Sequence, residues 1–330
     1  MQKLRGLRFL FPLLGLIPLS LPAGEPQGGV VTVTEENDMF VKTDRHYTQG
    51  FKFTQMFADE TMPRFVSDAA TGFPHLGLDP EARKLGFTFG QNIYTPSDID
   101  NPNLIPKERP YAGWLYLGWI VQRRGVQGDI PALENFELNL GVIGPPALGQ
   151  DAQTYVHKLW GIHLPRGWSN QLKTEPGLAL RYVRMWRFRA EVSDLAADWI
   201  PQFGGSLGNV GTYAESGFSL RAGYNVPLDF GPQNIDAPNV AAGVARPKWG
   251  LFGFTGISGR AVGYNAFLDG NLFRHSHHVD KNIFVAEWKL GAALVLKRVE
   301  MSYTYVLRTR EFKHQGQNDA FGSVSLSVRF

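Results

Sequence analysis

The chain has 330 residues, with 33 Lys and Arg against 30 Asp and Glu, 8 His and no cysteine. The missing cysteine excludes a disulfide scaffold, thiol catalysis and thiolate zinc sites. A formal charge of +3 with no polybasic tract leaves no footprint for nucleic acid, and 43% hydrophobic residues with 13% aromatics exclude global disorder.

The first element is an export signal. Lys3, Arg5 and Arg8 precede an apolar run over residues 9–19, and Pro22, Ala23 and Gly24 follow it. A basic start, a short apolar segment and small residues mark a secretory signal peptide over residues 1–23. The run is about a dozen residues long and is broken by Pro12 and Pro18, so it does not suit a spanning helix. Leu21 is a poor residue three before Ala23, and the mature chain is expected to start between Gly24 and Gly29. No later stretch is long and apolar enough for a transmembrane helix.

From Val31 onward the pattern is period two. Phe51 and Phe53 alternate with Lys52 and Thr54, and Leu85, Phe87 and Phe89 with Gly86, Thr88 and Gly90. Phe136, Leu138, Leu140 and Val142 alternate with Glu137, Asn139 and Gly141, and Phe218, Leu220, Ala222 and Tyr224 with Ser219, Arg221 and Gly223. Val299, Met301, Tyr303 and Tyr305 face away from Glu300, Ser302 and Thr304, and the chain closes on Val324, Leu326, Val328 and Phe330 against serines and Arg329. Such alternation describes strands with one apolar and one polar face. A soluble sandwich would bury the apolar face. Aromatic residues near strand ends (Tyr111, Trp114, Tyr116, Trp119) and the terminal Phe330 favour the inverted arrangement, with apolar side chains toward lipid. The expected fold is all-β: one transmembrane antiparallel β-barrel of about twelve strands filling residues 24–330, an even number suiting a closed bacterial barrel. Residues 62–80, 96–110, 146–174 and 226–247 read as connections, with 231–247 a flexible Pro/Asn-rich loop.

Residues 150–160 break the β pattern. Ala152, Tyr155, Val156 and Leu159 share one helical face, Gln153 and His157 stand four apart on an adjacent one, and Gly161 ends the segment. A short helix in an outer loop is the expectation.

Several polar groups are candidates for chemistry. Glu35, Glu36, Asn37 and Asp38 place consecutive oxygens at a strand end, which suits a hard cation or a solvated end equally. His157, with Asp151 and Gln153 nearby, is either a general base or an interface residue. His275, His277 and His278 match no zinc spacing and read as a loop tip; Lys107, Glu108 and Arg109 suit either anionic groups or snorkelling at the interface. No nucleophile elbow, His-Glu-x-x-His or P-loop occurs. Spacing alone leaves an enzyme and a passive barrel both open.

Glu36-Asn37-Asp38-x-Phe40, Asp44-Arg45-x-Tyr47-Thr48-x-Gly50 and the run from Glu108-Arg109-Pro110 to Tyr111-Ala112-Gly113-Trp114-Leu115-Tyr116 occur in order. Gly141-x-x-Gly144-Pro145, Gln153-x-x-x-His157-x-x-x-Gly161, Leu268-Asp269-Gly270-Asn271 and Arg308-Thr309-x-Glu311-Phe312 follow, and the chain ends on Phe330. Together these motifs resemble the LpxR-like outer-membrane lipid A 3′-O-deacylases over nearly the whole mature chain. The resemblance implies a twelve-stranded barrel whose active site lies between the wall and an outer-loop helix, and Ca²⁺-dependent ester hydrolysis similar to that of secreted phospholipase A₂. It implies His157 as the base that draws a proton from water, Asp38 as a Ca²⁺ ligand, Asn37 beside it and Thr48 as a fourth member. Lys107, Arg109 and Arg260 are the expected anchors for the lipid A phosphates. The implied partner is lipid A or lipopolysaccharide in the outer leaflet, with a monomer as the default. An outer-membrane phospholipase and a non-catalytic channel or adhesin are the alternatives.

Overall fold

The computed structural model describes residues 28–41, 43, 45–57, 77–231, 235 and 247–330, with backbone only at 79–82. The expected signal peptide and most of the loops expected over 62–80 and 231–247 lie outside the described residues. Thirteen strands follow in order: β1 (Val30–Asn37), β2 (His46–Phe57), β3 (Asp79–Thr95), β4 (Ala112–Gln127), β5 (Ile130–Ile143), β6 (Glu175–Trp186) and β7 (Phe188–Val192). The others are β8 (Leu195–Leu207), β9 (Gly211–Tyr224), β10 (Trp249–Asn265), β11 (Phe284–Leu296), β12 (Val299–Arg308) and β13 (Asp319–Arg329). A helix, α1 (Gly149–Trp160), lies between β5 and β6, and a single turn, α2 (Ala266–Asp269), follows β10.

Apart from β6 and β7, which do not pair with each other, strands adjacent in sequence pair antiparallel; β1 pairs with β13 and β6 with β8, so the sheet closes on itself. β6 and β7 meet β8 in one unbroken register, Met185 opposite Gln202 and Phe188 opposite Trp199. They are two halves of one stave interrupted at Arg187, and the barrel has the twelve staves expected. The first described residues and the C-terminus lie at one rim, where Phe330 N–H donates to Gly29 O at 3.2 Å. That rim carries tight turns with left-handed backbone at Gly128, Ser193 and Lys297. The connection that holds α1, between β5 and β6, is the longest and lies at the opposite, long-loop rim with those after β3 and β10, while the strand ends joined by residues 58–78 and 225–248 lie at the first rim.

Alternation sorts the side chains as the sequence pattern requires. On β12, Glu300, Ser302, Thr304 and Arg308 are buried, whereas Met301 and Tyr303 are exposed. Phe87, Phe89, Leu117, Trp119, Trp199, Phe218, Trp249, Leu251 and Trp288 belong to the exposed apolar exterior, which hydrocarbon rather than water would cover. The aromatic residues expected to form a girdle divide differently. Trp114 and Tyr116 fall at inward positions of β4 and stack at 5.4 Å, Tyr111 is covered by Trp168 at 5.0 Å, and of the four only Trp119 is exposed.

The lumen is filled by ion pairs. Lys52 meets Glu137 at 2.7 Å, Arg221 meets Asp198 at 2.7 Å and also pairs with Asp229, and Arg308 meets Glu287 at 2.8 Å. Ile235, between β9 and β10, also lies inside: its N–H donates to Glu36 at 3.0 Å and its carbonyl accepts from Lys52 at 3.2 Å. Glu134, fully buried, holds both Arg123 at 3.1 Å and Arg184 at 3.0 Å. Removing one member of such a pair leaves a buried charge uncompensated and costs about 3–5 kcal/mol. Glu134→Ala is therefore expected to lower the unfolding midpoint of the detergent-solubilised barrel in a heat-modifiability assay. A midpoint equal to that of the native chain would contradict this account of the lumen.

Candidate active site on the outer wall

β1 ends by splitting two functions between neighbouring residues. Glu36 points inward, accepting from Tyr47 Oη at 2.9 Å, so Asn37 turns to the outer face. Asn37 Oδ1 accepts from Met39 N–H at 2.8 Å, which bends the chain into a 3₁₀ turn over Asp38–Val41. Asp38 is buried, its Oδ2 accepts from Arg45 N–H at 2.6 Å, and its carbonyl accepts from Thr43 N–H and Oγ1, both at 3.1 Å. On β2 a bulge lies between Tyr47 and Gln49, which face Tyr94 and Ile93 of β3. Thr48 is the extra residue, and the bulge re-aims its side chain. Its hydroxyl meets that of Thr95 at 2.8 Å on the outer face, both groups being buried.

α1 covers this face from outside, against β3 and β4. Its start touches the wall at Gly113, where a Cβ would lie 3.2 Å from Gly149 N, and Gln91 Nε2 donates to Ala147 O at 2.7 Å. Ala152 then packs with Ile93, Ile99, Tyr111 and Trp168. The buried residues of α1 are Gly149, Gln153 and His157, four apart, while Tyr155 and Leu159 are exposed. The helix starts one residue earlier than the sequence suggests. Its polar stripe, not the apolar face with Tyr155 and Leu159, is the buried one.

The end of α1 sets the state of His157. Gly161 takes a left-handed φ of 67°, Ile162 N–H bonds to His157 O at 2.9 Å and Gly161 N–H to Lys158 O at 3.4 Å. This Schellman turn folds the following chain back over the last helical turn. There His163 O stands 2.5 Å from His157 Nδ1. A carbonyl can only accept, so Nδ1 carries the proton and Nε2 the lone pair, which is the tautomer of a base. Gly161→Val puts a β-branched residue into the left-handed region, a change costing roughly 1–2 kcal/mol, and loosens this turn. We expect the rate of the reaction proposed below to fall several-fold in that variant and Gly161→Asn to retain more activity; equal rates in all three proteins would contradict the role of the turn.

One turn earlier, Trp168 Nε1–H donates to Gln153 Oε1 at 2.8 Å, which fixes the amide and turns its NH₂ away from the indole. Gln153 Nε2 is buried and has no hydrogen-bond partner among the described residues. It is a buried N–H donor one helical turn before His157.

The three expected phosphate anchors separate. Lys107 is exposed on the loop before β4. Arg109 is buried, 3.1 Å from Glu311 and over the Tyr94 ring at 4.8 Å. Arg260 lines a lumenal cavity of about 140 Å³ and pairs with Glu215 at 3.2 Å. Both guanidinium groups answer carboxylates of the barrel itself: the β9–β10 register sets Glu215 opposite Arg260, and the loop after β12 brings Glu311 to Arg109. His277 Nε2 bonds to Glu108 O at 2.8 Å, tying its loop to the rim, and His275 and His278 are exposed.

Rim carboxylates are held ionised. Burial pushes the Glu311 carboxyl up, but Arg109 and Arg308 outweigh it and leave the group below its ordinary value of 4.5. Burial also raises Glu108, and its hydrogen bond to His46 brings it below 4.5. A lowered carboxylate stabilises the rim fully above that ordinary value and loses this contribution as pH falls through the folded value.

Among the described residues no group of three or more His, Asp or Glu side chains could hold a metal ion. The side-chain oxygens at the neighbouring ends of β1, β2 and β3 belong to Asp38, Asn37, Thr48 and Thr95. One carboxylate with neutral oxygens is a hard donor set, compatible with Ca²⁺ and unsuited to softer metals.

An outer-membrane barrel with a histidine helix clamped to the outside of its wall is the class this geometry defines. The family model described as outer membrane protein LpxR matches residues 9–330, and the chain belongs to that family. The solved structure of LpxR from Salmonella typhimurium is similar with a TM-score of 0.74 and 19% identity, covering 91% of this chain and 100% of that one. The β domain of the Bordetella autotransporter Brka has a TM-score of 0.45 at 10% identity, covering 92% of this chain and 98% of that one. The translocator domain of NalP from Neisseria meningitidis has a TM-score of 0.40 at 12% identity, covering 94% of this chain and 91% of that one. No curated protein matches the sequence. The chain is an outer-membrane protein.

Proposed function

We propose that the chain is a lipid A deacylase that removes the 3′-O-linked acyl or acyloxyacyl group in the outer leaflet by Ca²⁺-dependent ester hydrolysis. The observation that carries the reading is His157, buried on a helix against the outer wall with Nδ1 held by His163 O at 2.5 Å. Its Nε2 takes a proton from water as that water attacks the ester carbonyl, so no nucleophilic side chain is needed. The fixed Gln153 amide donates toward the developing oxyanion, and Asn37 orients the same region. Asp38 would hold Ca²⁺ with neutral oxygens around it, Thr48 among them. The bound cation would supply Lewis-acid stabilisation of the oxyanion.

Position supports a lipid substrate. The site lies on the outside of the wall at the long-loop rim, which an outer-leaflet lipid reaches without entering the lumen. Leu148, Tyr155 and Leu159 present exposed apolar surface on and beside α1, suited to acyl chains. Lys107 is the exposed cation for a phosphate, and Arg109 and Arg260 support the barrel through their carboxylate partners. A lumen crossed by ion pairs disfavours a channel.

Purified barrel in detergent, mixed with lipid A, is expected to release the 3′ fatty acid; chelation of Ca²⁺ stops release and added Ca²⁺ restores it. Release of glycerophospholipid acyl chains with lipid A untouched would replace the substrate, and release insensitive to chelation would remove the cation from the reaction.

A further inference from the structure

The Asp-Arg-His-Tyr-Thr and Glu-Arg-Pro segments are not used up by the catalytic scheme, yet the fold brings them together. His46, the first residue of β2, is buried at the long-loop rim. Its Nδ1 stands 2.7 Å from Asp319 Oδ1 at the start of β13, and its Nε2 stands 3.2 Å from Glu108 Oε2 in the loop before β4. Phe312 meets the ring edge-on at 5.4 Å. Arg45 lies 3.7 Å from Asp319, and Gln315 Nε2 donates to the other Asp319 oxygen at 2.8 Å. Carboxylates therefore face both ring nitrogens, with Arg45 and Arg109 as the neighbouring cations.

The backbone beneath this clasp is unusual. His46 has φ of 63°, a left-handed conformation that a side chain larger than glycine's disfavours. The residue before it, Arg45, gives its N–H to Asp38 Oδ2 at 2.6 Å. Thr43, which binds the Asp38 carbonyl through N–H and hydroxyl, also reaches Ala320 O of β13 at 3.3 Å. The direction of the Asp38 carboxylate thus depends on a backbone segment whose only side-chain pins to β13 and to the loop before β4, among the described contacts of that turn, run through Thr43, Arg45 and His46.

We propose that His46 is a positioning residue for Asp38: the Glu108–His46–Asp319 clasp holds the Arg45 amide where it orients the Asp38 carboxylate. The inference rests on the reading of Asp38 as part of the hydrolytic site. A clasp made from three separate segments also locks the wall-side turn to the rim loops, so the site is set only when the barrel has closed.

The test uses the full barrel in detergent micelles with His46→Phe, which keeps a ring against Phe312 and loses both polar contacts, and His46→Gln, whose amide keeps one N–H donor group. Amide hydrogen exchange at Arg45 is expected to rise about tenfold in His46→Phe and less in His46→Gln, the loss of one aligned hydrogen bond. The kcat for lipid A deacylation falls in the same order with KM unchanged, and His46→Phe adds no further loss on an Asp38→Asn background. Wild-type exchange at Arg45, or additive losses with Asp38→Asn, overturns the proposal. If His46→Phe fails to fold, His46→Gln alone decides by the same criteria. If the native barrel leaves lipid A intact, the deacylase reading fails by that result, while exchange at Arg45 still supports or overturns the clasp.

Discussion

Replacing His157 with alanine is expected to reduce lipid A deacylation by about 10²–10⁴-fold, the usual contribution of a positioned general base. The barrel should still form. His157 lies on α1, outside the strand ladder, and its side chain bonds to His163 O within the same loop. Heat-modifiable mobility therefore stays native while turnover disappears. His157→Gln should not rescue, since an amide cannot take up the proton at neutral pH. Near-native rates in His157→Ala, with folding verified, would remove His157 from the chemistry and leave the helix a structural cover.

The second large effect falls on Asp38. Asp38→Asn keeps an oxygen that can accept from Arg45 N–H, so the 3₁₀ turn survives, but it removes the carboxylate nearest the proposed cation site. A loss of about 10²–10³-fold in kcat is expected, the scale of removing one electrostatic contributor to an oxyanion. Ca²⁺ binding to the unreacted barrel, followed by isothermal titration, should weaken in parallel. Asp38→Ala is expected to be worse, because the Arg45 amide then loses its partner as well. A variant that binds Ca²⁺ and turns over like the native chain would place the cation elsewhere.

The barrel was legible because period-two patterning is a direct imprint of the two faces of a strand. Leu220, Ala222 and Tyr224 against Arg221 and Gly223 give the orientation of β9 without any tertiary knowledge. Trp114 and Tyr116 were not legible in that way. An aromatic residue suits a girdle or a packed lumen equally, and only the register of β4 against β3 and β5 decides that they point inward. The break at Arg187 left no sequence signal either, since β6 and β7 share one register against β8.

The site was partly legible. The helix ending at Gly161 and the His157 it carries follow from spacing and a C-terminal glycine, although the spacing does not identify the Gln153–His157 stripe as the buried face. Trp168, Thr95 and the partners of His46 could not be found this way. Each acts through a contact between segments far apart in sequence: Trp168 with Gln153, Thr95 with Thr48, His46 with Asp319. Arg109 and Arg260 looked like anion anchors because an isolated arginine always does. Their answering carboxylates, Glu311 and Glu215, come from other strands and loops.

The central claim is tested most directly by mass spectrometry of lipid A from Gram-negative cells that express the chain, beside cells that express His157→Ala. The account predicts a lipid A species lighter by the 3′ acyl or acyloxyacyl group in the first and its absence in the second, with both barrels folded in the outer membrane. Unchanged lipid A from cells carrying the folded native barrel would contradict it.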